Sequence, residues 1–169
     1  VRAIAHSLKT QEVDYFGLSQ SLRSHFPSDD DFHSGPAAAD DHPDADVVLE
    51  ELTDGGGRFT LDGESVETSL TVNGAYNTFN AAAALAVVRQ TLGDTVDSPA
   101  LIKSLSKVSP AFGRGESLTV QGRSLDLVLV KNPSGFRLGL SSFAPTGVAT
   151  MIAINDNYAD GRDMSWLWD

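Results

Sequence analysis

Asn73-Gly-Ala-Tyr-Asn-Thr-Phe-Asn-Ala-Ala-Ala-Ala-Leu-Ala-Val-Val-Arg-Gln-Thr-Leu-Gly93 is the strongest helix signal in the chain. Alanine has the highest helix propensity, Asn77 suits an N-cap, and Gly93 suits a C-terminal stop. Ala81, Ala84, Leu85, Val88 and Leu92 recur at helical spacing and predict one apolar stripe. Such a stripe has to be buried against something, and the residues just before it supply a sheet. Val47 to Leu52 reads as a strand, Asp54-Gly-Gly-Gly57 as a hairpin turn, and Arg58 to Leu61 as the partner strand. Asp62-Gly63 turns the chain again into Ser65 to Val72, which alternates as a further strand. Three antiparallel strands under a helix predict an α/β unit. A second helix follows, with Ser98 as cap, Pro99 in its first turn, and Leu101, Ile102, Leu105 and Val108 on its apolar face.

Upstream of this block, Val1 to Leu8 reads as a short helical piece, and Glu12 to Leu18 as a strand ending in a turn. Pro27 to Asp46 holds seven aspartates, three prolines and two histidines, so it predicts a loop with no capacity for a core. His33 and His42 in that loop are not spaced like a metal pair, and solvated histidines are the expectation.

Downstream, the pattern changes at Pro110. Phe112-Gly-Arg-Gly-Glu116 reads as a polar, glycine-flanked loop. Leu118 to Val120 and Ser124 to Val130 read as strands around a Gln121-Gly122 turn, the second apolar enough to lie centrally in a buried sheet. A helix is expected over Phe136 to Phe143 and another buried strand over Val148 to Ile154. The final loop carries Asp156, Asp160 and Asp163, and Trp166 and Trp168 anchor its end. Acidic groups just past a strand's C-terminal end are placed for chemistry in an α/β sheet, although Asn, Asp and Gly are also what plain turns use.

Composition bounds the possible functions. The 169 residues are 41% hydrophobic and 21% charged, which fits a globular protein. A formal net charge of −11 argues against nucleic acid or an anionic membrane as partner. No apolar run is long enough to span a bilayer, and Val1 to Ala5 is too short and too soon polar for a signal peptide. Cysteine is absent, which excludes disulfides and thiolate metal sites, so no metal ligands are assigned. The chain begins at a valine and stops at a loop end, as expected of a fragment.

Four stretches together carry a family resemblance. Gly74-Ala-Tyr-Asn-Thr-Phe-Asn-Ala-Ala-Ala-Ala84, Phe112-Gly-Arg-Gly-Glu116, Lys131-Asn-Pro-Ser-Gly135 and Asn155-Asp-Asn-Tyr-Ala-Asp-Gly-Arg-Asp-Met-Ser-Trp-Leu-Trp-Asp169 stand in the order found in Mur ligases. The last stretch, long and unusual in composition, resembles the signature of MurT, the ligase subunit of lipid II isoglutaminyl synthase. The resemblance implies that 1–110 is the C-terminal part of a central ATP-binding domain with a small antiparallel sheet and an acidic loop at 27–46. It implies that 111–169 is the first part of a Rossmann-like C-terminal domain.

It also implies roles. Asn77 and Asn80 would face the adenine of ATP, since an amide offers both a donor and an acceptor to the base edge. Taken alone, both are equally good helix-start residues. Arg114 would approach the phosphates with a planar guanidinium, and Lys131 would contact phosphate as a point charge. Asn132, Asn155 and Asp156 would lie in the ligase site or at an interface. Asp163, with Asp160 as the alternative, would complete the Cys-His pair of a GatD-type glutamine amidotransferase subunit in a heterodimer.

The implied reaction is amidation of the D-glutamate α-carboxyl of the lipid II stem peptide to D-isoglutamine, in peptidoglycan biosynthesis. ATP, with Mg2+ bound through the nucleotide, would make an acyl phosphate, and ammonia from the partner would displace phosphate. The place of action would be cytoplasmic, at the inner face of the bacterial membrane.

The chain also departs from the family pattern. The phosphate loop of the Gly-Thr-Asn-Gly-Lys-Thr type is absent and is expected upstream of Val1, so the fragment alone is expected to be inactive. Val128 stands where other Mur ligases usually carry an aspartate. Many MurT proteins insert a cysteine zinc ribbon near 27–46, but without cysteine no zinc is expected here. Two other readings remain open at this level. One is an amino-acid-adding Mur ligase or a folylpolyglutamate-synthase-like ligase; the other is a non-catalytic fragment that docks a partner.

Overall fold

The computed structural model describes residues 7–8, 11–26, 44–110, 114–130, 133–143, 147 and 149–153. Most of the helical piece at 1–8 lies outside the described residues, as does nearly all of the acidic loop with His33 and His42. Lys131, Asn132, Asn155, Asp156, Asp160, Asp163, Trp166 and Trp168 lie outside them too.

Strand β1 (Phe16–Leu18) leads into a 3-10 turn (Gln20–His25), followed by β2 (Val47–Thr53), β3 (Gly56–Leu61) and β4 (Glu64–Ser69). These strands form one sheet in the order β1-β2-β3-β4. The three expected antiparallel strands are β2, β3 and β4, and β1 adds a fourth, parallel to β2. Its register is held by a polar clip: the Asp46 carboxylate accepts from the Tyr15 amide at 2.7 Å, and the Asp46 amide donates to the Tyr15 carbonyl at 2.8 Å.

The hairpin turn is also shorter than the glycine run suggests. Asp54 and Gly55 make it, while Gly56 and Gly57 belong to β3. A Cβ on Gly56 would sit 2.2 Å from the Thr68 carbonyl oxygen, and one on Gly57 would sit 2.8 Å from Thr78 Cγ2. These two glycines therefore serve close packing inside the sheet rather than a turn.

Helix α1 (Ala75–Leu92) packs on β1, β2 and β3, and α2 (Ser98–Ser104) packs against β4. Val47, Leu49, Phe59 and Leu61 alternate along β2 and β3 onto one face, and all four are at most 1% exposed. Leu85 of α1 and Ile102 of α2 close the core from the helical side. Burial of such side chains contributes roughly 1.5–3 kcal/mol each.

The buried stripe of α1 is Thr78, Ala81, Ala82, Leu85 and Ala86, which corrects the expected one: Ala84 is exposed and Leu92 is 46% exposed. Consecutive alanines offer equal propensity on every side, so the sheet selects the face, and small residues let the helix lie close to it. Asn77 is not the N-cap. Gly74 is, with φ 96° and ψ 140°, and Asn77 lies one turn inside the helix. The cap of α2 is likewise one residue earlier than expected. Asp97 accepts from the Ala100 amide at 3.0 Å, and Ser98 begins the helix. The Ser98 hydroxyl donates to Asp62 at 2.6 Å instead. Val108, expected on the apolar face of α2, is 49% exposed.

Beyond residue 113, β5 (Arg114–Val120) and β6 (Arg123–Val128) form an antiparallel ribbon, and α3 (Pro133–Phe143) follows. Gln121 and Gly122 both have positive φ, 50° and 76°, the conformation of a two-residue type I′ turn. Arg114 starts a strand opposite Val128 rather than lying in a loop. Among the described residues β6 has only β5 as neighbour, and Leu125 is 44% exposed, so β6 is not a buried central strand. Helix α3 begins at Pro133, earlier than Phe136, because proline at a first helical position needs no backbone donor. Residues 149–153 are not a strand: they have no hydrogen-bonded neighbour strand among the described residues, and Met151 is 87% exposed. The whole is a mixed α/β architecture with small sheets, as the sequence leads one to expect.

Candidate functional site

The first turn of α1 is the meeting point of the two halves of the chain. Gly74 lies against the Phe143 ring of α3, where an added Cβ would come within 2.6 Å of it. Gly74 also has the positive φ that makes glycine the favoured residue there. From the other side, Gly115 of β5 approaches the same turn. A Cβ there would sit 2.5 Å from the Asn73 carbonyl oxygen and 2.9 Å from Asn77 Nδ2. Helix α3 leans on β6 through Gly139, which faces Val128 and Val130.

These contacts leave a cleft of about 220 Å³. Tyr76 and Asn77 form one wall, and Val128, Val130 and Leu138 form the other, with Gly115 between them. Pockets for drug-sized ligands run from about 300 to 1,000 Å³, so this cleft suits one flat ring system rather than a whole nucleotide. Val128, Val130 and Leu138 give apolar contact while Tyr76, Asn77 and Ser142 bring polar groups, a mixed lining that suits a planar heterocycle with a hydrogen-bonding edge. Asn77 Nδ2 donates to the Asn73 carbonyl at 2.7 Å, which sets the orientation of the amide.

A polar chain ties the same turn to the ribbon. Asn73 Nδ2 donates to Ser117 Oγ at 3.1 Å, and Ser117 Oγ donates to Asp126 Oδ1 at 2.5 Å. Ser117 and Asp126 stand directly opposite each other in the β5–β6 register.

Of the residues singled out from sequence, Asn77 lines the cleft. Asn80, one turn further along α1, is exposed and is not among the lining residues. Arg114 has its backbone at the start of β5, beside Gly115 of the cleft. Val128, at the position of the family's aspartate, is in the wall. Tyr76, Gly115, Ser117 and Asp126 were not singled out. The Ser117–Asp126 pair was legible in principle, since counting outward four residues from each side of the Gln121-Gly122 turn pairs them. Among the described residues no group of three or more His, Cys, Asp or Glu could hold a metal ion, and no helix is long and apolar enough to cross a membrane.

Comparison with known proteins adds four findings. The MurT ligase C-terminal family matches residues 129–169. The MurT subunit of a glutamine-hydrolysing lipid II isoglutaminyl synthase from Streptococcus pneumoniae is 38% identical over 132 residues, 75% of this chain and 28% of that protein. The equivalent subunit from Staphylococcus aureus is 31% identical over 100 residues, 58% of this chain and 22% of that protein. The chain therefore spans about a quarter of the length of these relatives. The solved structure of a pseudomurein peptide ligase type C from Methanothermus fervidus superposes with a TM-score of 0.51 at 22% identity. It covers 62% of this chain and 21% of that one, a likeness of fold.

Proposed function

Because the chain belongs to the MurT ligase family, we propose that it is part of the ligase subunit that amidates the D-glutamate α-carboxyl of lipid II. ATP activates the carboxylate, and a GatD-type glutaminase in a heterodimer supplies the ammonia. In this reading 1–110 belongs to the central ATP-binding domain and 111–169 to the C-terminal domain, acting in the cytoplasm at the inner face of the membrane. The observation that carries it is the cleft at the first turn of α1, where Asn77 from the 74–84 stretch faces Val128 and Val130, just before the 131–135 stretch.

Asn77 presents its amide to the adenine edge, and Val128, Val130 and Leu138 supply apolar contact for the ring's face. The cleft accounts for the base only. The phosphates, with Mg2+ bound through them, fall to Arg114 and Lys131 and to a phosphate loop that this sequence does not contain. ATP supplies phosphoryl activation of the carboxylate, so that nitrogen attack on the carbonyl carbon expels phosphate. Asn132, Asn155 and Asp156 are assigned to the ligase site or the partner interface. Asp163 is assigned to the partner's Cys-His pair, with Asp160 as the alternative.

The test uses the full-length protein with its glutaminase partner. Asp163→Asn is nearly isosteric, so folding and docking survive, but it cannot stabilise an imidazolium; the same change in a serine protease costs about 10⁴-fold. Glutamine-dependent amidation of lipid II should collapse, while free ammonium restores product. Wild-type rates with glutamine would remove Asp163 from the site. Equal loss with both nitrogen sources would place the residue in the ligase step instead.

A further inference from the structure

The polar chain from Asn73 to Asp126 has no part in the chemistry described so far, yet its Asn73 end accepts a hydrogen bond from Asn77, which lines the cleft. Asn73 is held at both ends. Its side-chain amide donates to Ser117 Oγ at 3.1 Å, and its carbonyl oxygen accepts from Asn77 Nδ2 at 2.7 Å. Ser117 in turn donates to Asp126 Oδ1 at 2.5 Å. The proton donors run in one direction, from Asn73 through Ser117 to a carboxylate, and an ionised end acceptor strengthens each bond in such a chain. Gly115 presses on the same Asn73 carbonyl from the ribbon side, leaving that peptide little room to rotate.

We infer that Ser117 and Asp126 are positioning residues for the nucleotide cleft: by fixing Asn73 they set the orientation in which Asn77 meets the base. Neither touches the base itself, since neither lines the cleft. Their effect runs through a single peptide, so it vanishes when Asn77 is gone. The inference rests on the reading of the cleft as the adenine site, and its test separates the two.

In the full-length protein with its partner, Asp126→Ala leaves the Ser117 hydroxyl without its carboxylate. Both side chains are exposed, so the fold survives, and an unchanged unfolding midpoint checks this. One hydrogen bond contributes about 0.5–1.5 kcal/mol net, so the dissociation constant for ATP should rise roughly two- to tenfold. The KM for ATP should rise with it, while kcat and the KM for glutamine hold. Asp126→Asn keeps an acceptor oxygen and should restore most of the affinity.

The decisive arm is the double variant. In an Asn77→Ala background, Asp126→Ala should cause no further loss of ATP affinity. A full additional loss there, or wild-type ATP affinity in Asp126→Ala alone, would overturn the positioning role. If Asn77→Ala alone leaves ATP binding unchanged, the adenine assignment itself fails, and the positioning role fails with it.

Discussion

At the residue scale, Asn77 and Asn80 look alike in sequence but occupy different surroundings. Three residues apart on a helix, they could both have faced one ligand. Asn77 instead lines the cleft with its amide oriented by the Asn73 carbonyl, and Asn80 is exposed beyond it. Asn77→Ala in the full-length protein should therefore weaken ATP binding by about 1–3 kcal/mol, the cost of leaving a polar partner unpaired. Asn80→Ala should cost clearly less. Calorimetric titration of both variants with ATP checks the ranking, and equal losses would return Asn80 to the base edge. The motif was legible because glycine, paired asparagines and alanines are a local pattern. Which amide meets the cleft was not, because that depends on where α3 and the ribbon approach.

At the element scale, the C-terminal end of α1 is tied to two other elements by one side chain. Arg89 donates to the Gly93 carbonyl at 3.1 Å and to the Val96 carbonyl at 2.7 Å, satisfying acceptors just past the helix end. It also pairs with Asp62 in the β3–β4 turn and reaches Ser98 Oγ of α2 at 3.1 Å. The Arg89 side chain is 16% exposed, while Asp62 is 45% exposed, so solvent screens the ionic part and the carbonyl bonds carry more of the effect. Arg89→Met keeps the apolar stem but strands those acceptors. It should destabilise the protein by roughly 1–3 kcal/mol, read as a lower urea midpoint at unchanged slope. A midpoint within error of wild type would make the cluster a surface ornament. Nothing in the sequence announces this clamp. Asp62 lies 27 residues from Arg89 and 36 from Ser98, and each of the three has an ordinary local explanation as a turn residue, a helix-end cation and a cap.

At the scale of the whole molecule, one core lies between the sheet and α1 with α2, and a smaller assembly of ribbon and α3 docks against the first turn of α1. The cleft at that junction has room for a base, not for a triphosphate. The 169-residue chain by itself should therefore show no ATP turnover, because it carries no phosphate loop of the Gly-Thr-Asn-Gly-Lys-Thr type. Measurable phosphate release above background by the purified chain would contradict this and would demand a phosphate site among its own residues.

The sequence by itself determined what is written in short range. The Gln121-Gly122 turn, the alanine-rich helix and the alternating strands of the hairpin are choices a few neighbouring residues can make. The family likeness also rests on such local runs. Tertiary structure alone decided which face of the alanine run is buried, that Gly56 and Gly57 serve packing rather than a turn, and that β1 joins the sheet in parallel. It also decided that residues 149–153 form no strand, and that Asn73, Ser117 and Asp126 line up beside the cleft. The reason is physical. Propensity and capping act within about one turn of chain, whereas burial and side-chain hydrogen bonding are settled by what arrives from elsewhere.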